Sequence, residues 1–379
     1  MSQKKRILHI IQSLGNGGCE NMLLRTLPLL DDFEHKIITL KELGDLASKF
    51  VSVGIAVETI HCDGLLDISG IFRLRKIVTK GNPDIILTYL FHADVLGRLA
   101  LHNATKATII PFLRTTYNHP KYLIARILEW LTKPIVNRYL ANSEAVKDFY
   151  VKNIGIHQEK ITVIPNGIDV EYFDSIKPNL ELRKSIGIHP NDFVIICVSN
   201  LHINKGHKYL LEAFEKLHTS NNETAKTIQP FNFRLLLVGD GPEKENLQNQ
   251  SKNYQSKKNI LFLGKRTDVP QLLRISNLFI LPTLFEGQSN ALMEAMASGL
   301  PIITTDIPEN KVLIENEKTG LLVPIKNSKI LLEGMLSLIK NDNLRMTMGQ
   351  SSQKSIKENF NLKKTTSLFS DFLSNSLKK

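Results

Sequence analysis

Two glutamates with seven residues between them, Glu286 and Glu294, stand in the segment Pro282-Thr-Leu-Phe-Glu-Gly-Gln-Ser-Asn-Ala-Leu-Met-Glu-Ala-Met-Ala-Ser-Gly-Leu-Pro301. An apolar run ends at Leu281, a loop follows with Glu286, Gly287 and Gln288, and Ser289 or Asn290 can cap the helix that comes next. The free N–H groups and positive dipole end of that helix suit a diphosphate. Glu294 lies four residues after Asn290, one turn down the same face, where a carboxylate can accept hydrogen bonds from ribose hydroxyls. Glu286, on the loop, can reach a sugar. Taken singly, each glutamate is better read as an ordinary strand-end or solvated helix charge. Glu294, however, sits within apolar Ala291–Leu300, where an unpaired carboxylate is costly to bury.

Lys205 follows an apolar run, Phe193–Ser199, and precedes Gly206, so a mobile cation is expected at the same sheet edge as the Glu286 loop. As a mere surface lysine at a helix start it would oppose the helix dipole. Gly239-Asp240-Gly241-Pro242 joins a strand to a helix, and its glycines allow positive φ and close approach of a ligand, although such a turn calls for glycine in any case. Near the start, Gly15-Asn16-Gly17-Gly18 precedes a helix without completing a G-x-G-x-x-G fingerprint, since Cys19 and Glu20 follow. Close backbone approach to a ligand and a plain turn are rival readings of Gly17 and Gly18. His92 opens a helix running through Leu101 just after a strand, which places it at a ligand-binding edge. Arg98 on that helix, and Arg114 with Thr115 after the next strand, are acceptor-side candidates.

These residues need strand ends to hold them. Short runs of Ile, Val and Leu alternate with amphipathic stretches, the pattern of buried parallel strands joined by helices. Strands are expected at Arg6–Gln12, His35–Leu40, Ala56–Ile60, Asp84–Thr88, Thr108–Phe112, Arg138–Ala141 and Ile161–Val163. A second series runs through Phe193–Ser199, Phe233–Val238, Ile260–Leu263, Leu278–Leu281 and Pro301–Thr304. A length of 379 residues with 42% hydrophobic content fits two α/β domains. The expected division is a first domain over 1–173, a linker over 174–192 broken by Pro178, Gly187 and Pro190, a second domain over 193–358, and a helix over 359–379 that can return to the first domain. Thr219–Pro230 reads as a polar loop or insertion. Pro165-Asn166-Gly167-Ile168-Asp169 reads as a turn, and Ser143-Glu144 as a helix cap.

The net charge of +11 calls for an anionic partner: a nucleotide, a nucleic acid or an acidic membrane. Lysines and arginines are dispersed, without aromatic interleaving or finger spacing, so nucleic acid is the weakest of the three. Over Lys121–Leu140, Trp130 and several aliphatic residues alternate with Lys121, Arg126, Lys133 and Arg138, as in a basic helix lying in a membrane interface. A core-facing helix explains the same pattern, and Pro134 would end or kink it. No apolar run is long enough to span a bilayer, so the expected location is cytoplasmic, with peripheral contact at the inner face of the membrane. The three cysteines form no C-x-x-C pair and are expected to be buried or idle. No D-x-D pair ends a strand, so no metal cofactor is expected.

The glutamate pair and the Glu294-Ala-Met-Ala-Ser-Gly-Leu-Pro301 run resemble the signature of family-4 retaining glycosyltransferases of the GT-B fold. Gly15–Gly18, Pro165–Asp169, Leu201–His207, Val238–Pro242 and Phe262–Pro270 extend the resemblance over nearly the whole chain. It implies two Rossmann-like domains facing each other across a cleft, with the nucleotide-sugar donor on the second. It implies that Glu294 binds the donor ribose, that Glu286 and His92 contact the transferred sugar, that Lys205 pairs with the diphosphate, and that Gly17 and Gly18 face diphosphate and acceptor. Lys265–Asp268 would wall the nucleobase pocket, with Arg266 as its candidate residue. Transfer would retain anomeric configuration, without metal, from a donor that is commonly a UDP-sugar to a saccharide or lipid-linked acceptor of the cell envelope. Asn200 departs from the pattern, since many family members have arginine there. A sugar-nucleotide epimerase, or a non-catalytic subunit binding a nucleotide-sugar beside a partner transferase, would share the architecture.

Overall fold

The computed structural model describes residues 4–15, 17–65, 67–116, 123–219 and 232–377. The chain forms two compact units, one of Met1–Gly167 with Leu362–Lys379, the other of Ile168–Asn361.

Among the described residues the first unit holds seven parallel strands: β1 (Lys5–Ile11), β2 (Phe33–Thr39), β3 (Ala56–Thr59), β4 (Ile85–Tyr89), β5 (Thr108–Leu113), β6 (Tyr139–Ala141) and β7 (Ile161–Val163). Their spatial order is β3-β2-β1-β4-β5-β6-β7. Both faces of the sheet are buried, and alternate residues of β1 show it. Ile7 and Ile11 pack with Leu23 of the Gly18–Thr26 helix, and with Phe369 and Leu373 of the Leu362–Leu377 helix. Leu8 and Ile10 pack on the other face with Leu74 and Val78 of the Ile68–Gly81 helix, and with Ala93 and Leu96 of the Leu90–Leu101 helix.

The second unit repeats the wiring with β8 (Phe193–Val198), β9 (Phe233–Val238), β10 (Ile260–Gly264), β11 (Leu278–Leu281), β12 (Ile302–Thr305) and β13 (Leu321–Val323), in the order β10-β9-β8-β11-β12-β13. The middle strands are sealed on both faces, as their near-continuous apolar runs demand. The last strand, β13, is absent from the expected set because three residues between Gly320 and Pro324 carry no periodicity. In both sheets the order reverses beside the first strand, at β1/β4 and at β8/β11, where open α/β sheets part their strand-end loops and receive ligands.

Two expectations are corrected. Residues 174–192 are not a linker: the chain changes units at Gly167/Ile168. Pro178, Gly187 and Pro190 only keep the helices short. Phe173 and Ile188 are buried in the second core, Arg183 donates to the carbonyls of Ile275 (3.1 Å) and Asp192 (2.8 Å), and Asp192 pairs with Arg234 at 2.9 Å. Nor is there a single basic helix over 121–140. Lys121 and Tyr122 lie outside the described residues. The helix is Leu123–Thr132, Pro134 sits in a 3-10 turn, and Tyr139 begins β6. The apolar face survives, with Ile124, Trp130 and Leu131 more than half exposed. The basic stripe is broken up: Lys133 caps the carbonyls of Ile154 and Gly155 (both 3.0 Å), Arg138 reaches the Asn375 carbonyl at 3.3 Å, and the helix itself carries Arg126, half-buried. Most of Thr219–Pro230 also falls outside the described residues.

Candidate active site

In the second unit the switch point lies between β8 and β11. After β8 the chain makes a 3-10 turn, Ile203–Lys205, then Gly206 at φ 68°, then the His207–Thr219 helix. Gly206 is required: besides its left-handed backbone, a Cβ there would collide with the Pro282 carbonyl at the end of β11. The loops after β8 and β11 are laced together. The Leu284 N–H donates to the Asn204 carbonyl at 2.7 Å, the Thr283 hydroxyl to the same carbonyl at 3.1 Å, and the Asn204 amide to the Phe285 carbonyl at 3.4 Å. This lacing brings Lys205 against Glu286 as an ion pair, with side-chain exposures of only 13% and 11%.

Beyond Glu286 the Asn290–Ala297 helix begins, its Ser289 cap accepting from the Leu292 N–H at 3.3 Å. Gly287, Gln288, Ser289 and Asn290 therefore surround a helix N-terminus at the switch point, and Glu294 is buried in the second turn of that helix. On the other side of β8, a Cβ on Gly239 (φ 139°) would collide with the Ser199 carbonyl, and Gly241 lies on the Leu201 backbone, where a Cβ would come within 2.6 Å of the carbonyl. Asn200 is exposed between these tight approaches. Arg266, after β10, is held by Asp268 through two bonds of 2.8 and 2.6 Å. That places it three strands from β11, roughly 14 Å at the usual strand spacing, and apart from the Lys205–Glu286 pair.

Two features of this edge lie beyond the sequence reading. Glu309 follows β12 as Glu286 follows β11, and it is buried. Burial pushes its carboxyl above the ordinary range, and the charge of Glu286 adds to the shift. Pro308-Glu309 at a strand's carboxyl end was the available signal. His207, beside Lys205, is also buried. Burial and the Lys205 charge push its imidazole down to about 4, and its Nε2 bonds the Ser199 hydroxyl at 2.9 Å. With the imidazole neutral, that network braces the end of β8 against the lysine turn.

In the first unit Gly17 caps the Gly18–Thr26 helix after β1, and Asn16 lies outside the described residues. On the adjacent strand β4, Tyr89 is followed by Leu90 at φ 67°, a left-handed conformation that a branched residue adopts only under constraint. His92 follows two residues later, exposed, with its pKa lowered by partial burial and by Lys41. Arg98 is not an acceptor contact, a correction to the expectation. It is fully buried and bonds Glu129 (2.5 Å) and Thr132 (3.0 Å), which ties the Leu90–Leu101 helix to the Leu123–Thr132 helix. Arg114 lies at the end of β5 with its guanidinium over the Phe112 ring and one nitrogen bonded to Asn166 at 2.8 Å. Ser143 caps the Glu144–Ile154 helix, and Asp169 caps Val170–Ser175. All three cysteines are buried, and burial pushes the thiols of Cys19 and Cys197 up to about 12.

Comparison with known proteins follows the same division. Residues 179–355 match the model of "Glycosyl transferases group 1" and residues 16–172 that of "Glycosyltransferase Family 4". A UDP-Gal:alpha-D-GlcNAc-diphosphoundecaprenol alpha-1,3-galactosyltransferase of Escherichia coli is 28% identical over 315 residues, covering 80% of this chain and 79% of the relative. A glycosyltransferase of Haemophilus influenzae is 30% identical, with 74% of each chain covered. Among solved structures, Anabaena HepE in complex with UDP-glucose superposes with a TM-score of 0.84 at 22% identity, over 98% of this chain and 99% of that one. TarM superposes with a TM-score of 0.76 at 13% identity, over 100% of this chain and 99% of TarM. The fold is therefore GT-B.

Proposed function

Because the chain belongs to the family-4, group 1 glycosyltransferases, we propose that it moves a hexosyl or N-acetylhexosaminyl group from a UDP-sugar to a hydroxyl of a saccharide or lipid-linked acceptor in envelope biosynthesis. The observation that carries this reading is the Lys205–Glu286 pair, laced across the β8/β11 switch point beside the N-terminus of the Asn290–Ala297 helix. A cation and a helix N-terminus suit a diphosphate. A carboxylate within bonding reach of that cation suits the sugar attached to it. On donor binding Lys205 exchanges Glu286 for phosphate oxygens, and Glu286 is released to the sugar hydroxyls. Glu294 takes the ribose, the backbone at Gly239 and Gly241 admits the nucleotide, and Arg266 stands at the base end.

Transfer proceeds with retention and without metal. The acceptor hydroxyl attacks the anomeric carbon on the face that the diphosphate leaves. Its proton passes to the departing phosphate oxygen, so no covalent nucleophile is assigned. His92 contacts the sugar, and Gly17 and Gly18 give backbone approach to the acceptor. With Asn200 where many members of the family carry arginine, the leaving-group charge rests on Lys205 and the helix N-terminus. The acceptor class follows the activity of the Escherichia coli relative. The exposed face of the Leu123–Thr132 helix supports peripheral contact with the membrane that holds such an acceptor. No helix among the described residues is long and apolar enough to cross it.

The test is thermal unfolding with UDP, GDP and ADP on wild type and Glu294→Ala, followed by transfer from radiolabelled UDP-sugars with and without EDTA. A nucleotide at about 100 times its Kd adds about 2.7 kcal/mol. UDP is expected to stabilise wild type and not the variant, with turnover indifferent to EDTA. Failure of all three nucleotides to stabilise wild type would sink the reading, and nucleotide binding without any transfer would leave a non-catalytic subunit. Conversion of the donor sugar itself, with no acceptor required, would mean an epimerase.

A further inference from the structure

Away from the strand-end loops, the first unit carries a groove of about 810 Å³ between its outermost strand, β3, and the Ile68–Gly81 helix. Its construction is legible from register. Lys36 on β2 shares a face with Ile38 and Leu40, which pack against Leu74 and Val78 of that helix, and Glu58 pairs in register with Ile38 and points the same way. The sheet face that is apolar one strand inward thus ends in a charged floor, Lys36 bonded to Glu58 at 2.7 Å. The helix supplies the wall through Arg73, Lys76 and Lys80, spaced i, i+3 and i+7 on one stripe, with Ile77 between them.

Not all of these cations are available. Arg73 donates to the carbonyls of Ile60 and His61, both at 2.7 Å, and pairs with Asp67 at 3.3 Å. Those bonds engage the backbone just beyond β3 and hold Arg73 away from a ligand. Lys76 and Lys80 have no hydrogen-bond or ion-pair partner among the described residues. The helix dipole accounts for Lys80 in the last turn. It does not account for Lys76 one turn earlier, which repels Lys80 at i, i+4 and faces a floor that already holds Lys36. The surface therefore offers two unengaged ammonium groups, a carboxylate able to accept from hydroxyls, and an aliphatic side chain between them.

We propose that this groove binds an anionic oligosaccharide, its carboxylate or phosphate groups on Lys76 and Lys80 and its hydroxyls on Glu58. The saccharide part of the assignment rests on the glycosyltransferase reading, while the anion part rests on the groove alone.

The experiment is titration calorimetry of the full chain, with UDP in saturating excess so that the diphosphate site is occupied, at low ionic strength with tetragalacturonate, with maltotetraose as a neutral saccharide and tripolyphosphate as an anion that is not a saccharide. The variant is Lys76→Ala/Lys80→Ala, at two exposed positions. Wild type is expected to bind tetragalacturonate more tightly than tripolyphosphate and to leave maltotetraose unbound. The double variant should bind tetragalacturonate about tenfold or more weakly, with both affinities falling as salt rises. The proposal is overturned if wild type binds no tetragalacturonate, if the double variant binds it as wild type does, or if tripolyphosphate binds as tightly. The UDP-induced rise in Tm is measured on the same two proteins and is expected to be equal. Loss of that rise in wild type speaks against the donor site, and calorimetry with the oligosaccharide speaks to the groove.

Discussion

Among the described residues each unit holds a strongly desolvated ion pair, and the two pairs are built for different ends. Arg98–Glu129 in the first unit is wholly inaccessible, 0% exposed on both sides, and joins two helices on one face of the sheet. Burial opposes the Arg98 charge, but Glu129 and Asp94 outweigh it and hold the guanidinium charged, while Asp94 is itself pushed toward its neutral form by burial. Lys205–Glu286 keeps 13% and 11% exposure, joins two strand-end loops, and abuts a helix N-terminus. The first pair has no route to another partner. The second stands where a ligand can take the lysine and free the glutamate. Burial alone does not mark a functional charge; a partner that solvent and ligand can exchange does.

The largest effect should come from breaking the inaccessible pair on one side. Glu129→Ala leaves an uncompensated guanidinium in the core and should cost about 3–5 kcal/mol of stability by chemical denaturation. Glu129→Leu with Arg98→Met, which removes both charges, should recover most of it. Through both, UDP should still raise Tm, because the damage is to the first unit's scaffold. If the double variant recovers nothing, the pair does more than balance its own charges.

The accessible pair should respond in the opposite way. Lys205→Ala is expected to lower transfer about 10²–10³-fold, the scale for losing one preorganised stabiliser of a leaving anion, with little change in Tm. A variant that unfolds as readily as Glu129→Ala would place Lys205 among scaffold charges and erase the contrast.

Much of this was open to inspection in the sequence, and the reasons for the rest are physical. Twelve strands were legible because apolar runs buried on both faces leave little else for the chain to do, and the place of Lys205, Gly239, Gly241 and Glu286 was legible because strand-end loops have a fixed place in such sheets. What escaped depends on partners far along the chain. Arg98 was expected on the acceptor side because Glu129, 31 residues on, cannot be paired with it by spacing. Residues 174–192 looked like a linker because prolines signal breaks in helices, and they carry no information on whether Phe173 and Ile188 find a core. Glu309 needed its nearness to Glu286, which only the packing of β12 beside β11 provides.

A third test separates the two edges by pH. His207 in the second unit is held down to about 4, first by burial and then by Lys205. His9 in the first is held well below its usual range by burial, in a chain where Tyr89 donates to His9 (2.8 Å), His9 to His35 (3.0 Å) and His35 to the Leu30 carbonyl (3.1 Å). The unfolded chain takes up protons below about pH 6.5 that these folded groups refuse, so stability falls as pH drops from there. For His207 the loss is complete near pH 4 and amounts to about 3 kcal/mol. Denaturation between pH 7 and 4 should show that slope, and His207→Gln should remove its share while leaving the share from His9 and His35. Bound UDP, by placing negative charge on Lys205, should shallow the slope in wild type only. An unchanged slope with UDP would put Lys205 out of reach of the diphosphate.

The smallest effect concerns how the first edge holds His92. Leu90 keeps φ at 67° in the turn from β4 into its helix, a conformation that costs a leucine about 1 kcal/mol and glycine almost nothing. If that cost is imposed only by the turn, Leu90→Gly should relieve it, raising stability by about 1 kcal/mol without touching transfer. If it is imposed so that His92 meets the sugar at a set angle, the same variant should gain stability and lose transfer together, because glycine leaves the helix start free to rotate. Stability and single-turnover rates measured on one preparation tell these apart. Joint movement would give the first edge a fixed geometry of its own, matched to the laced loops of the second, and make His92 a positioned group rather than an exposed histidine near a strand end.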